Sequence, residues 1–206
     1  MRKILATLLA ITMVAVMAVS AFAAPSASAS VIDEIIDEDG NTIQEWSDGT
    51  IVVTFADEDK DPVVMTDIAD HWGKDEITKA VLLGLMIGYP DGKFHPEDNM
   101  TVAMIYTVLA RIAGAEIETT GDNWIDNVAA WAEEAGIADG SDPTSDATRA
   151  QMVAFLAAAA EVEGDAADWA VESGILQGDE NGELNLEDNL TRAQFAAILV
   201  RYLATK

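Results

Sequence analysis

The chain has 206 residues, with 37 Asp and Glu against 11 Lys and Arg, and it contains no cysteine. That acidic surplus repels nucleic acid and anionic membranes at long range. The missing cysteine excludes disulfides, thiolate metal sites and lipid attachment through an N-terminal cysteine.

In chain order, Arg2 and Lys3 open a stretch whose residues from Ile4 to Val19 carry no charge. Ala21-Phe22-Ala23 then supplies the small residues of a signal-peptidase site, so residues 1–23 read as a signal peptide, with cleavage after Ala29 as the second choice. The alternative is a retained membrane anchor, because the apolar run is nearly long enough to span. With the signal removed, nine cations face 37 acids, a net charge of −28. No membrane association is then expected, and any anionic ligand has to be held by a few locally placed cations. The remaining length suits about one domain with a modest core.

Residues 24–64 form an acidic leader, with Ala, Pro and Ser up to about residue 29. Asp39-Gly40 and Asp48-Gly49 punctuate two β-rich runs, Thr42 to Trp46 and Thr50 to Phe55. Asp-Gly between such runs is a hairpin signal, which predicts a two-stranded ribbon. A lone hairpin is marginal in water, so it has to lean on the rest of the chain or pair with a partner.

From Asp67 onward the period becomes helical, and one unit recurs. Each unit has an early helix, a Gly-bounded loop and a second helix opened by threonine at Thr101, Thr148 or Thr191. Behind each threonine, offsets +4, +7, +8 and +11 are Ile105, Val108, Leu109, Ile112, then Met152, Phe155, Leu156, Ala159, then Phe195, Ile198, Leu199, Tyr202. The first early helix is expected from about Trp72 to Leu85, and the second in register from Trp124. The third unit enters late, with Val162 at the position of the leading tryptophan. The unit boundaries expected are residues 65–115, 116–160 and 161–206. A unit this small cannot bury its own apolar face, so the three have to pack together, their second helices meeting around a common axis.

Threonine with Gln three residues on, as in Thr148 with Gln151 and Thr191 with Gln194, is a capping box. It does not account for Arg149 and Arg192. A cation at the first helical position opposes the helix dipole, at a cost of roughly 0.3–1 kcal/mol. It asks either for an intramolecular acid or for a ligand carboxylate or phosphate, which guanidinium grips bidentately. Free amides at the same helix start would add to an anion site. Trp72 and Trp124 can serve as core anchors or sugar-stacking platforms, and Tyr89 is the loop aromatic placed for an exposed sugar contact. Gly88, Gly140 and Gly178 are read as positive-φ residues that would also let a ligand approach the backbone. His71 and His95 lack partners at zinc spacing, and the acidic loops around Gly40 and Gly182 miss the calcium-loop ligand set, so no metal site or cofactor is expected.

These residues resemble the S-layer homology family. Its pattern is Asp before His-Trp, a helix, Gly-Ile-Ile-x-Gly, an Asp-Gly-x-Phe-x-Pro loop, then Thr-Arg-Ala-Glu. The first unit shows Asp67, His71-Trp72, Gly84, Gly88, Asp91-Gly92-Lys93-Phe94-His95-Pro96 and Thr101. The other two supply Thr-Arg-Ala followed by Gln, and the likeness runs from about Met65 to Lys206. The resemblance implies three helical repeats packed as a pseudo-threefold bundle; with the short acidic β-hairpin read ahead of them, the expected fold is mainly α. The resemblance also implies an exported bacterial protein of the cell wall or S-layer that binds an anionic, pyruvylated secondary cell-wall polysaccharide in grooves between repeats. Arg149, Arg192, Trp72, Trp124, Asp67, Gly88, Tyr89, Gly140 and Gly178 would line those grooves.

Three departures each put one groove in doubt: Val102 in place of the first arginine, a loop of 8 rather than 13 residues from Gly140 to Thr148, and the missing third tryptophan. The alternative function is an envelope interaction protein, with the repeats as scaffold and the acidic leader binding another surface protein. An enzyme is not expected, since no nucleophile elbow, phosphate loop or metal motif occurs.

Overall fold

The computed structural model describes residues 24–119 and 121–206. The expected signal peptide, residues 1–23, lies outside the described residues.

Four strands come first: β1 (Val31–Ile36), β2 (Thr42–Trp46), β3 (Ile51–Thr54) and β4 (Val63–Met65). They form an antiparallel meander in the order β1-β2-β3-β4. The Asp-Gly turns are held by neighbouring carboxylates. Asp37 Oδ1 accepts from Asn41 N at 2.8 Å and Asp48 Oδ1 from Thr50 N at 3.1 Å. Asp48 Oδ2 also accepts from Ser26 N at 2.7 Å, which ties the leader down. The Ser26 bond is the largest reason that the Asp48 carboxyl falls to about 2. Alternation sets the faces. Ile51 and Val53 point into the core at 1% and 0% exposure, while Thr54 is exposed.

The six helices are α1 (Lys74–Leu82), α2 (Val102–Ile112), α3 (Trp124–Glu134), α4 (Arg149–Ala159), α5 (Ala166–Glu172) and α6 (Arg192–Leu203). Thr101, Thr148 and Thr191 cap α2, α4 and α6, each side chain accepting from the backbone N–H three residues on. The reciprocal glutamine bond completes the box at Thr148 and Thr191. Met104 leaves it half-made at Thr101. The early helices stop where Gly84, Gly136 and Gly174 enter the left-handed region, at φ 69°, 69° and 73°, a turn that a side chain would strain. Among the described residues no helix is long and apolar enough to cross a membrane.

The expectation of a mainly α, pseudo-threefold bundle is overturned. The fold is mixed, 34% helix and 13% strand, with a four-stranded sheet in place of a lone hairpin. The reason is the core: Ile51, Val53 and Met65 join the same buried cluster as Ile77, Val81, Tyr106 and Phe195. Burying each such side chain is worth roughly 1.5–3 kcal/mol, so the sheet is held by the helices. The helices pair α1 with α6, α2 with α3 and α4 with α5, while α2 and α4 touch more lightly. Each second helix thus packs mainly on an early helix of another segment.

The second helices are joined instead through their leading loops. Met100 N donates to Leu190 O, Leu190 N to Ala147 O and Ala147 N to Met100 O, at 2.8, 2.9 and 2.8 Å. Those three residues are buried, so this closed ring of backbone bonds is shielded from water.

Candidate ligand-binding site

The helix starts face neighbouring loops. On α4, Arg149 N donates to Asp188 O and Ala150 N to Leu186 O; on α6, Arg192 N donates to Asp98 O and Ala193 N to Pro96 O. On α2, Val102 N and Ala103 N donate to Ser145 O and Pro143 O. With the threonine taking the third amide, no free amides remain there for an anion. The expected dipole contribution to ligand binding is absent for that reason.

The two arginines follow the same direction. Arg192 Nε donates to Phe94 O and Nη2 to Ile87 O, both at 2.8 Å. Its guanidinium lies 4.3 Å from the Phe94 ring centroid and 4.8 Å from that of Tyr89. Arg149 Nε donates to Leu184 O at 2.8 Å and Nη2 to Gln177 O at 3.1 Å. Residues 87 and 94 stand to 177 and 184 as equivalents, each 90 residues apart, so one device is used twice. Each arginine braces a loop of another segment. Neither forms an ion pair with a carboxylate among the described residues, which removes the alternative of an intramolecular acid partner. Burial holds both guanidinium pKa values below their ordinary range. At Arg149 the Asp188 carboxylate opposes that shift and the charge of Arg201 adds to it.

Asp67 completes the brace on the first loop, its carboxylate accepting from Phe94 N and His95 N at 2.9 Å each. Tyr89 is half-buried there, edge-on to His95 at 5.1 Å. Gly88 and Gly178 are not in the positive-φ region, which corrects that expectation; only Gly140 is, at φ 71°. Their need for glycine is one of space. A Cβ at Gly178 would stand 2.6 Å from the Gly182 carbonyl carbon, and one at Gly88 would stand 3.1 Å from Lys93 O.

An open groove of about 270 Å³ gathers part of the expected set. Trp72, Arg149 and Gly178 line it, with Gln177, Asn185, Gln194 and Arg201. Trp72 is 60% exposed, so its ring is available as a wall. The neighbouring His71 is fixed: its Nδ1 accepts from Gly73 N at 3.0 Å, leaving Nε2–H to donate to Glu97 at 2.7 Å. Asp67, Gly88, Tyr89 and Arg192 gather separately around the first loop. Trp124 opens α3 half-buried against the core, and Gly140 lies against Ala129 O of α3, so neither belongs to this groove.

Sequence reasoning missed Arg201. It projects from α6 beside Arg149, and its guanidinium makes no hydrogen bond or ion pair among the described residues. The signal was present: Arg201 lies ten residues after Thr191, as Arg111 lies ten after Thr101. Arg111, however, is spent on Leu85 O at 2.8 Å.

The pattern described as the S-layer homology domain matches residues 64–101 and 159–196. The match falls on two separate segments. They contain the two loops that the arginines brace; the span between them, with the short loop, is not matched. The chain is similar to Cell surface glycoprotein 1 of Acetivibrio thermocellus, 28% identical over 116 residues, 56% of this chain and 4% of the relative. It is similar to Outer membrane protein SlpA of Deinococcus radiodurans, 41% identical over 49 residues, 23% of this chain and 4% of the relative. An amylopullulanase of Thermoanaerobacterium thermosulfurigenes is 27% identical over 169 residues, 65% of this chain and 9% of the relative. The chain therefore spans less than a tenth of the length of these curated relatives. The S-layer homology segments and these relatives mark a bacterial cell-surface protein, located at the wall or S-layer.

Proposed function

We propose that this chain anchors non-covalently to the cell wall by binding an anionic secondary cell-wall polysaccharide, one bearing a carboxylate such as a pyruvate ketal. The observation that carries the reading is the pairing of Arg149 and Arg201 in an open groove beside the exposed Trp72 ring. Guanidinium groups with unspent donors bind carboxylate bidentately, and a free indole face suits a sugar ring. Arg149 has two donors committed to carbonyls, so its role is shared between bracing and binding. Of the two, Arg201 is uncommitted among the described residues. The groove's acids, Asp179, Glu183 and Asp188, disfavour polyanions of high charge density and suit a polymer whose charges are spaced. The function is binding rather than catalysis. Any cargo or partner enzyme of a longer protein is a separate matter.

The test is co-sedimentation with purified wall sacculi before and after removal of the non-peptidoglycan polymer. Binding should disappear on stripped walls, fall at least roughly tenfold for Arg201→Ala, and fall for Trp72→Ala without loss of folding. Equal retention on stripped walls, or unchanged binding by Arg201→Ala, would sink the proposal.

A further inference from the structure

Among the described residues, nothing covers one edge of the sheet. β4 lies against the first loop, where Thr66 N donates to Gly92 O at 3.0 Å. β1 is the longest strand, and all six of its residues are exposed. Val31, Ile32, Ile35 and Ile36 are 39%, 61%, 53% and 64% exposed, so both faces present large aliphatic side chains. The inner face borders an open groove of about 440 Å³, where Ile35 lies near Ile43 and Leu82 of α1.

The backbone of that edge is open too. Asp37 N donates to Asn41 O at 3.0 Å where the hairpin closes, and Ile35 pairs with Ile43. Hydrogen-bonded and non-bonded pairs alternate in an antiparallel ladder. Asp33, Ile35 and Asp37 therefore turn their backbone groups toward β2. Glu34 and Ile36 turn theirs outward, where no strand of the described residues meets them. Edge strands that must stay unpaired are usually short, bulged away or interrupted by proline or lysine; β1 has a register irregularity only at its start, between Val31 and Asp33.

Charge selects the occupant. Residues 24–64 hold eleven Asp and Glu and one Lys. A second copy pairing through β1 would bring two such acidic segments side by side, and facing like charges destabilise a sheet. Anionic wall polymer is repelled by the same field. We infer that β1 is an augmentation edge that takes an extended strand from another protein, one alternating apolar residues with Lys or Arg. Its outward amides would pair with the added backbone, its aliphatic residues would cover the added apolar ones, and Asp33 and Glu34 would give one anion to each face.

The test titrates the full chain with a short blocked peptide alternating Val and Lys. Two controls share its length, one with a central Val replaced by Pro and one with Glu in place of Lys. Amide exchange at Glu34 and Ile36 should slow roughly tenfold or more on saturation, and binding should weaken with added salt. The Pro and Glu peptides should each bind at least about tenfold more weakly. An Asp33→Lys/Glu34→Lys variant, which keeps the strand, should lose the Lys peptide. Equal binding by the Pro peptide would reduce the effect to charge alone and overturn the inference. So would unchanged binding by the charge-reversed variant, or a β1-dependent dimer of the chain by itself in sedimentation.

Discussion

Arg192 is best tested by removing it. In Arg192→Ala two carbonyls, Phe94 O and Ile87 O, lose donors that stand 2.8 Å away, in a site where the arginine is only 6% exposed. A hydrogen bond to a charged group contributes roughly 1.5–3 kcal/mol, and a buried acceptor left without a partner adds its desolvation cost. The guanidinium also leaves the Phe94 and Tyr89 rings, each contact worth about 0.5–2 kcal/mol. These contributions share one side chain and do not add in full, so the expected loss is about 3–5 kcal/mol. That is a large part of the roughly 5–15 kcal/mol stability of a domain. Urea unfolding followed by circular dichroism should show the midpoint falling by about 2 M, for a slope near 2 kcal/mol/M. Arg192→Lys should recover little, because one ammonium cannot span two carbonyls as the planar fork does. A loss under about 1 kcal/mol, the range of an exposed ion pair, would refute the brace. So would wall binding that disappears while the unfolding curve stays in place.

Three further outcomes can be checked on the same curve. Gly178→Ala places a Cβ 2.6 Å from backbone at Gly182 and should cost about 1–3 kcal/mol; Gly174→Ala meets no atom within 4 Å and should cost only the roughly 1 kcal/mol of a left-handed residue. Thr191→Ala should cost about 0.5–2 kcal/mol and exceed Thr101→Ala, since only the former dismantles a complete capping box. Asp48 has a folded pKa of about 2 against an ordinary 3.8. The stability it contributes is therefore present above about pH 4 and lost as pH falls toward 2. The stability difference between the native chain and Asp48→Asn should narrow over that window, and a difference independent of pH would reject the assignment.

The helix starts were legible because capping is local: Thr148 and Gln151 carry their geometry in four residues. The apolar ladder was equally plain, and Ile105, Leu156 and Phe195 are at 0% exposure. The sheet was only half legible. Asp48-Gly49 marked the β2–β3 turn, but β1 mixes acids with aliphatics and has no buried face to impose alternation, while β4 is three residues long. The role of the arginines was hidden for a different reason. Their partners are backbone carbonyls up to 105 residues away, and a carbonyl has no signature in the sequence. Gly88 and Gly178 were misread because a glycine demanded by a neighbour's backbone looks like one demanded by φ. In the groove, Trp72, Arg149 and Gly178 were expected, whereas Arg201 sits on a helix face where a cation normally needs no explanation.

The carbonyl brace also joins two departures that look independent in the sequence. Arg149 on α4 holds the loop carrying Gln177 and Leu184, and Arg192 on α6 holds the loop carrying Ile87 and Phe94. By the same direction, the first residue of α2 faces the loop between Gly140 and Thr148, as Val102 N donating to Ser145 O shows. That loop is the short one: Asp139 stands where Ile87 and Gln177 do, but the turn that supplies Phe94 O and Leu184 O has no counterpart. An arginine at position 102 would find only part of the brace, too little to offset the cost of burying a cation. Valine, 1% exposed, fills the space instead. The missing arginine and the missing turn are thus one change seen from two sides of an interface, and they remove one braced loop rather than damaging two.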